Sequence, residues 1–242
     1  MSVAENVALV RQKMTAAALA AGRDPAEITL SAATKVQTSD TIREVIAAGV
    51  TICSENHVQE YVAHEKDGAY EGAKVHIIGH LQTNKLKYVV GKVELIESVD
   101  SVHLLEAISR QAVKLGVTQD VLLEVNIARE ASKTGTMPEE IPALAEKAAS
   151  LPGVRLRGLM AIPPVSTGPG SNRPYFSEIY QLFIDIRKNL DDNSEDINCL
   201  SMGMSQDYED AIAEGATLIR VGTALFGPRP PKQSKTDSAS AG

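Results

Sequence analysis

Lys35 closes an apolar run, Ile-Thr-Leu-Ser-Ala-Ala-Thr at 28–34, and stands just ahead of a helix start at Thr38-Ser39-Asp40. The run reads as a buried strand that would deliver the lysine to its C-terminal mouth. Burial disfavours an ammonium ion and exposes a nucleophilic amine. The usual use of such an amine is a Schiff base with a carbonyl, from a substrate or from pyridoxal phosphate. A solvated lysine at a strand end is the plain alternative.

Two further segments narrow the choice. Gly203 and Ser205 in Ser-Met-Gly-Met-Ser (201–205), and Gly222-Thr223 after Arg220-Val221, are turns in which backbone N–H groups and hydroxyls can gather round an anion. Each alone is an ordinary glycine turn; together they form a phosphate cup. Arg220 lies inside the apolar run Leu-Ile-Arg-Val-Gly, where an unpaired charge is costly. Its partner is either a core carboxylate such as Glu124 or a pyridine nitrogen, for which Arg and Asp are the usual partners. An arginine there would keep that nitrogen unprotonated and weaken the ring as an electron sink.

These groups need a scaffold that brings them to one place. Strand-like runs lie near 28–34, 50–54, 74–78, 95–98, 121–125, 154–159, 199–201 and 218–221, with helical patterns between them and an opening helix near 3–21. Thr38-Ser39-Asp40 and Ser101 are start signals, Pro138 or Pro142 opens another helix, and Gly49 and Gly116 are stops. Near 176–190, Phe176, Ile179, Leu182, Phe183 and Ile186 share one helix face. The βαβα rhythm implies parallel strands with right-handed crossovers. About eight units predict a single (β/α)8 barrel, an α/β TIM barrel with an added N-terminal helix. A doubly wound sheet would carry a Gly-rich turn after its first strand, and Thr-Lys-Val-Gln-Thr-Ser-Asp has none. Barrel chemistry sits at the C-terminal strand ends, with phosphate often in the loops after strands seven and eight. Those ends are Lys35, Glu55-Asn56, Gly79-His80, Ser98, Asn126, Met160, 201–205 and 220–223.

Composition excludes several classes. The 242 residues are 43% apolar, enough for one large core, and 31 acidic against 24 basic residues give a net charge of −7. That balance argues against nucleic acid and against an RNA-binding scaffold. No apolar stretch is long enough to span a membrane, the N-terminus has no signal pattern, and Cys53 and Cys199 look like buried thiols of a reducing compartment. A cytoplasmic protein is expected, with one domain over 1–228 and a disordered tail over 229–242. The segment 163–174, rich in Pro, Gly and Ser, is either a lid or a plain surface loop. His57 and His80 lack a third ligand at metal spacing, so no metal is expected. Lys85 and Lys133 compete as amines but sit in polar surroundings, and Asp191-Asp192 with Glu195-Asp196 reads as a solvated acidic loop.

Ala-Thr-Lys at 33–35, Ser-Glu-Asn-His-Val-Gln-Glu at 54–60, Ile-Gly-His-Leu-Gln-Thr-Asn-Lys at 78–85, the segments at 97–101, 124–126, 130–135 and 156–163, and the runs 200–217 and 219–227 together carry a resemblance. The chain resembles the pyridoxal phosphate homeostasis proteins over nearly its whole length. The resemblance implies the barrel of bacterial alanine racemase, with pyridoxal phosphate held as an aldimine on Lys35. It implies phosphate contacts from Ser201, Met204, Ser205, Gly222 and Thr223, with Asn56 and Arg220 at the cofactor ring; Met160, at the sixth strand end, joins this cofactor set. Ser54, Val75, Cys53 and His57 depart from the usual Gly, Trp, Phe and Tyr, which puts packing round the cofactor in question. The implied role is a non-catalytic carrier or buffer, a monomer that supplies apo pyridoxal enzymes. An amino-acid racemase and a cofactor-free Schiff-base aldolase are the rivals.

Overall fold

The computed structural model describes residues 1–130, 133–190 and 195–228. Eight strands close into a barrel in sequence order: β1 Thr29–Ala33, β2 Ile52–Glu55, β3 Lys74–Ile77, β4 Leu95–Val99, β5 Gln119–Val125, β6 Val154–Ala161, β7 Cys199–Ser201 and β8 Leu218–Val221. Each pairs in parallel with the next, and β8 returns to β1 with Ser31 opposite Arg220 and Ala32 opposite Val221. The helices are α1 Val3–Ala20, α2 Ser39–Ala47, α3 Val58–Lys66, α4 Val102–Leu115, α5 Ile141–Ser150, α6 Arg173–Asn189, α7 Tyr208–Ala213 and α8 Thr223–Phe226.

Local signals explain most of these boundaries. Ser2 and Glu5 form a reciprocal capping box at the start of α1. Val7, Val10, Met14 and Ala18 then bury one face, each large side chain contributing roughly 1.5–3 kcal/mol. That face covers the outside of the barrel beside α7 and α8, where Asn6 Nδ2 donates to the Leu225 carbonyl at 2.8 Å. Thr38 accepts from the Thr41 N–H and Ser101 from the Leu104 N–H, so both start signals cap as expected. Gly116 ends α4 in the left-handed conformation. Pro138 opens a short 3-10 turn and Pro142 sits in the first turn of α5, so both prolines start structure.

Three expectations need correction. The connection between β3 and β4 holds a 3-10 segment, Thr83–Tyr88, in place of an α-helix. Leu86 and Val89 are buried there at a three-residue spacing, which suits the tighter turn. Helix α6 starts at Arg173, one turn earlier than its apolar face suggests, because Pro174 is admitted in a first turn. On its face Leu182 is only partly buried. Cys53 is buried but Cys199 is half-buried; burial pushes both thiols up to about 12. The tail 229–242 and Asp191-Asp192 lie outside the described residues. Among the described residues no helix is long and apolar enough to cross a membrane, and no group of His, Cys, Asp and Glu could hold a metal ion.

Candidate cofactor site at the C-terminal mouth

Lys35 leaves β1 in a tight turn. The Gln37 N–H bonds the Thr34 carbonyl at 3.0 Å, and Val36, third in the turn, has φ +61°. A β-branched residue with positive φ stores roughly 1–3 kcal/mol of strain. The flanks hold it: Thr34 Oγ1 donates to Glu55 Oε1 at 2.6 Å and the Val36 N–H to Glu60 Oε2 at 3.4 Å. The turn exposes Val36 and leaves Lys35 half-buried at a pocket of about 170 Å3.

Met204, Ser205, Arg220, Gly222 and Thr223 line the same pocket, with Ala33, Gln206 and Asp207. Ser205 joins the two glycine turns, its Oγ accepting from the Gly222 N–H at 3.1 Å and the Ala224 N–H at 3.2 Å. Both lone pairs are thus engaged, and the hydroxyl proton is available to a ligand. Gly203 is required for this shape. It has φ +91°, and a Cβ there would lie 2.5 Å from Ala211 Cβ. Its carbonyl accepts from the Arg220 N–H at 3.0 Å, tying the turn after β7 to β8.

The segment 163–174 forms one wall of the pocket through Val165 and Ser166. Buried Asn172 anchors it, donating to Asp207 Oδ2 at 2.7 Å and to the Pro164 carbonyl at 2.9 Å. Asp207 Oδ1 accepts from the Met204 N–H at 2.7 Å, so both carboxylate oxygens are committed to the scaffold.

Other expected site residues lie apart from this pocket. Ser201 is buried one layer below, Met160 packs against Leu95 and Leu122 inside the barrel, and Asn56 lines a separate groove of about 340 Å3 with His57, Gly79, His80 and Lys85. There Gly79 admits the Asn56 backbone: a Cβ on Gly79 would stand 2.1 Å from the Asn56 carbonyl oxygen. Lys133 pairs with Glu130 at 2.9 Å and His80 with Asp100 at 3.2 Å.

The carboxylate partner of Arg220 is Glu97, not Glu124. Glu97 Oε2 lies 3.7 Å from Arg220 Nη1, and Ser201 Oγ bridges them, accepting from Nη1 and donating to Oε2 at 2.6 Å. Glu124 instead accepts from Thr134 at 2.6 Å. The sequence does carry a sign of Glu97, a lone acid in the apolar run Leu-Ile-Glu-Ser-Val, but linear order does not say which inward side chains meet across a barrel. Burial raises the Glu97 carboxyl, yet His76, Arg220 and Ser201 outweigh it and hold it below the usual range. Burial pulls Arg220 down, against Glu97, Glu124 and Asp207.

Glu55 shifts the other way. Burial raises it, opposed by bonds from Thr34 and Tyr70, and its Oε2 has no hydrogen-bond partner. A raised folded pKa gives stability at low pH that is lost as pH rises through that value; the depressed Glu97 gives stability lost as pH falls. Denaturant midpoints of Glu55→Gln and the unaltered protein, measured from pH 4.5 to 8, should therefore move in favour of the variant as pH rises. A gap that does not change with pH would show Glu55 to be ionised at no cost.

Known proteins share this architecture. The family described as alanine racemase, N-terminal domain, matches residues 3–230. A pyridoxal phosphate homeostasis protein of Pseudomonas aeruginosa is 40% identical over 228 residues, covering 94% of this chain and 96% of that one. The Escherichia coli K12 protein of the same name is 38% identical over 230 residues, 94% and 97% of the two chains. The chain belongs to the pyridoxal phosphate homeostasis protein family. A structure of another member-like protein, PipY of Synechococcus elongatus with pyridoxal phosphate bound, superposes with a TM-score of 0.79 at 31% identity, covering 93% of this chain and 100% of that one. Alanine racemase of Clostridium difficile shares the fold at 14% identity and a TM-score of 0.67, with 94% of this chain matching 58% of that one.

Proposed function

We propose that this protein is a carrier of pyridoxal phosphate, holding it as a Schiff base on Lys35 and releasing it to apo pyridoxal enzymes without turning over an amino acid. The observation that carries this reading is the convergence of Lys35, Ser205, Gly222, Thr223 and Arg220 on one pocket. The residues fit the group. An amine stands where an aldehyde must arrive, the joined turns offer hydroxyl and backbone donors to a dianion, and Arg220 offers N–H donors to a ring nitrogen. We assign Met204 to its wall and Ser201, bonded to Arg220, to the layer that supports it, whereas Met160 in the barrel interior and Asn56 on the neighbouring groove stand outside the pocket. Asp207 does not oppose the phosphate, because Met204 and Asn172 hold its oxygens.

When bound, the group supplies an electrophilic carbon and an electron sink. Arg220 would limit that sink, because a guanidinium beside a ring nitrogen would leave it unprotonated. The likeness to homeostasis proteins over nearly their full length supports storage over catalysis. With two free cysteines and a net charge of −7, we place it in the cytoplasm.

Loaded protein incubated with a panel of L-amino acids in D2O should show at most trace α-deuterium and no change of chirality. General acid and base groups contribute roughly 10²–10⁴-fold each, and the pocket wall offers no uncommitted carboxylate or imidazole among its described residues. Racemisation or transamination at roughly 1 s⁻¹ or faster would replace the carrier with a racemase-like enzyme. Loss of cofactor to an apo pyridoxal enzyme faster than to buffer is the positive counterpart.

A further inference from the structure

Beneath the pocket, a chain of buried polar contacts crosses the barrel from β8 to β3. Two of the five N–H donors of Arg220 are taken, Nη1 by Ser201 and Nη2 by the Ala161 carbonyl at 3.0 Å. Ser201 donates onward to Glu97 Oε2, and Glu97 Oε1 meets His76 Nδ1 at 2.7 Å. Ser201 and Glu97 are 0% exposed, Arg220 3% and His76 4%. Four strands supply these four side chains.

Such a set is not needed to hold a barrel together. A buried ion pair roughly returns in attraction what it costs in desolvation, and apolar side chains of similar volume fill a core at least as well. What the set does fix is Arg220. Arg220 lines the pocket, and its guanidinium meets Ser201 and Glu97. A buried cation without a counter-charge depresses the proton affinity of any nitrogen near it, and low local dielectric carries that effect over several ångströms.

We propose that Glu97, itself held by His76, is the positioning residue for Arg220: it fixes the guanidinium's aim and offsets its charge at the pocket floor, and so sets the proton affinity of the Schiff-base nitrogen on Lys35. This rests on the carrier reading above. Two other carboxylates face Arg220. Glu124 from β5 is engaged by Thr134, and Asp207 from the turn after β7 by Met204 and Asn172. Cys199 from β7 faces it as a neutral thiol, its pKa raised by burial. Glu97 alone touches the bridge to the guanidinium.

The test is a pH titration of the visible absorbance band of cofactor-loaded protein, in the unaltered chain and in Glu97→Gln, His76→Phe and His76→Gln. In Glu97→Gln the cation loses its offset, and the apparent pKa read from the band should fall by on the order of one unit. His76→Phe strips the donor from Glu97 Oε1, so the carboxylate takes up a proton more readily and the band's pKa should fall in the same direction. His76→Gln keeps a donor and should bring the value back toward that of the unaltered protein. Titrations that coincide in every variant that binds cofactor would overturn the inference; if Glu97→Gln does not fold, coincidence of the two His76 variants is enough to do so. Failure of the unaltered protein to show the band sinks the carrier reading itself, a different result from a band whose pKa does not move.

Discussion

Lys35→Ala is expected to erase the visible band of protein mixed with pyridoxal phosphate, while circular dichroism and the melting temperature stay close to those of the unaltered chain. Lys35 is the lysine that lines the pocket, among its described residues. The competing amines stand elsewhere: Lys85 on the groove beside Asn56, and Lys133 in an ion pair with Glu130. The fold should tolerate the change because the side chain is half-buried in a turn after β1 and is no part of the hydrophobic core. Exposed or half-exposed substitutions of that kind usually move stability by about 0.5 kcal/mol or less. Borohydride reduction followed by peptide mass spectrometry locates the adduct directly. Mapping to Lys85 or Lys133 would remove Lys35 from its role.

Gly203→Ala should cost the protein most of its affinity for the phosphate ester and far less of its affinity for unphosphorylated pyridoxal. The new methyl group would meet Ala211 and Tyr208, and alanine at φ +91° is strained even in open space. Relief requires the turn to move, which displaces Met204 and Ser205 and loosens the Gly203 bond to the Arg220 N–H. Charge-assisted hydrogen bonds are worth roughly 1.5–3 kcal/mol each, so losing two weakens the ester by roughly 10²–10⁴-fold. Calorimetric titration of both ligands reads the difference. Should the variant fold poorly, Ser205→Ala tests the same cup by removing the hydroxyl that receives Gly222 and Ala224. Equal affinity of the unaltered protein for pyridoxal and its phosphate would sink the cup altogether.

The strands were legible because each is a compact apolar run between recognisable starts and stops. Thr38, Ser101 and Gly116 act as read, since a cap depends on residues within one turn of the chain. The pocket too followed once a barrel was assumed: in a closed parallel sheet every strand's C-terminal end is at one mouth, which brings Lys35 to Ser205 and Thr223. What linear order hid was the traffic across the interior. Whether Arg220 meets Glu97 or Glu124 depends on strand stagger, including the irregular register between Ile96 and Val99 of β4 and β5. Likewise Asn172 and Asp207 lie in unremarkable loop and turn sequence, and only their contact shows that one wall of the pocket is pinned to the cup. Asn56 shows the limit of reasoning from strand ends. It stands at the mouth, yet it borders a different groove.

The pairing of β8 with β1 has a consequence for how the protein comes to exist. Lys35 follows the first strand and Thr223 the last, so the pocket straddles the seam at which the barrel is sealed. A contact between the two ends of a chain carries the largest loop-closure cost and tends to form late. No shorter or half-assembled version of the barrel can therefore possess this pocket, and a ligand that fills it clasps the final joint. By mass action such a ligand strengthens that joint with the logarithm of its concentration above Kd. The share of chains with a sealed barrel would then rise with the concentration of any ligand that fills this pocket.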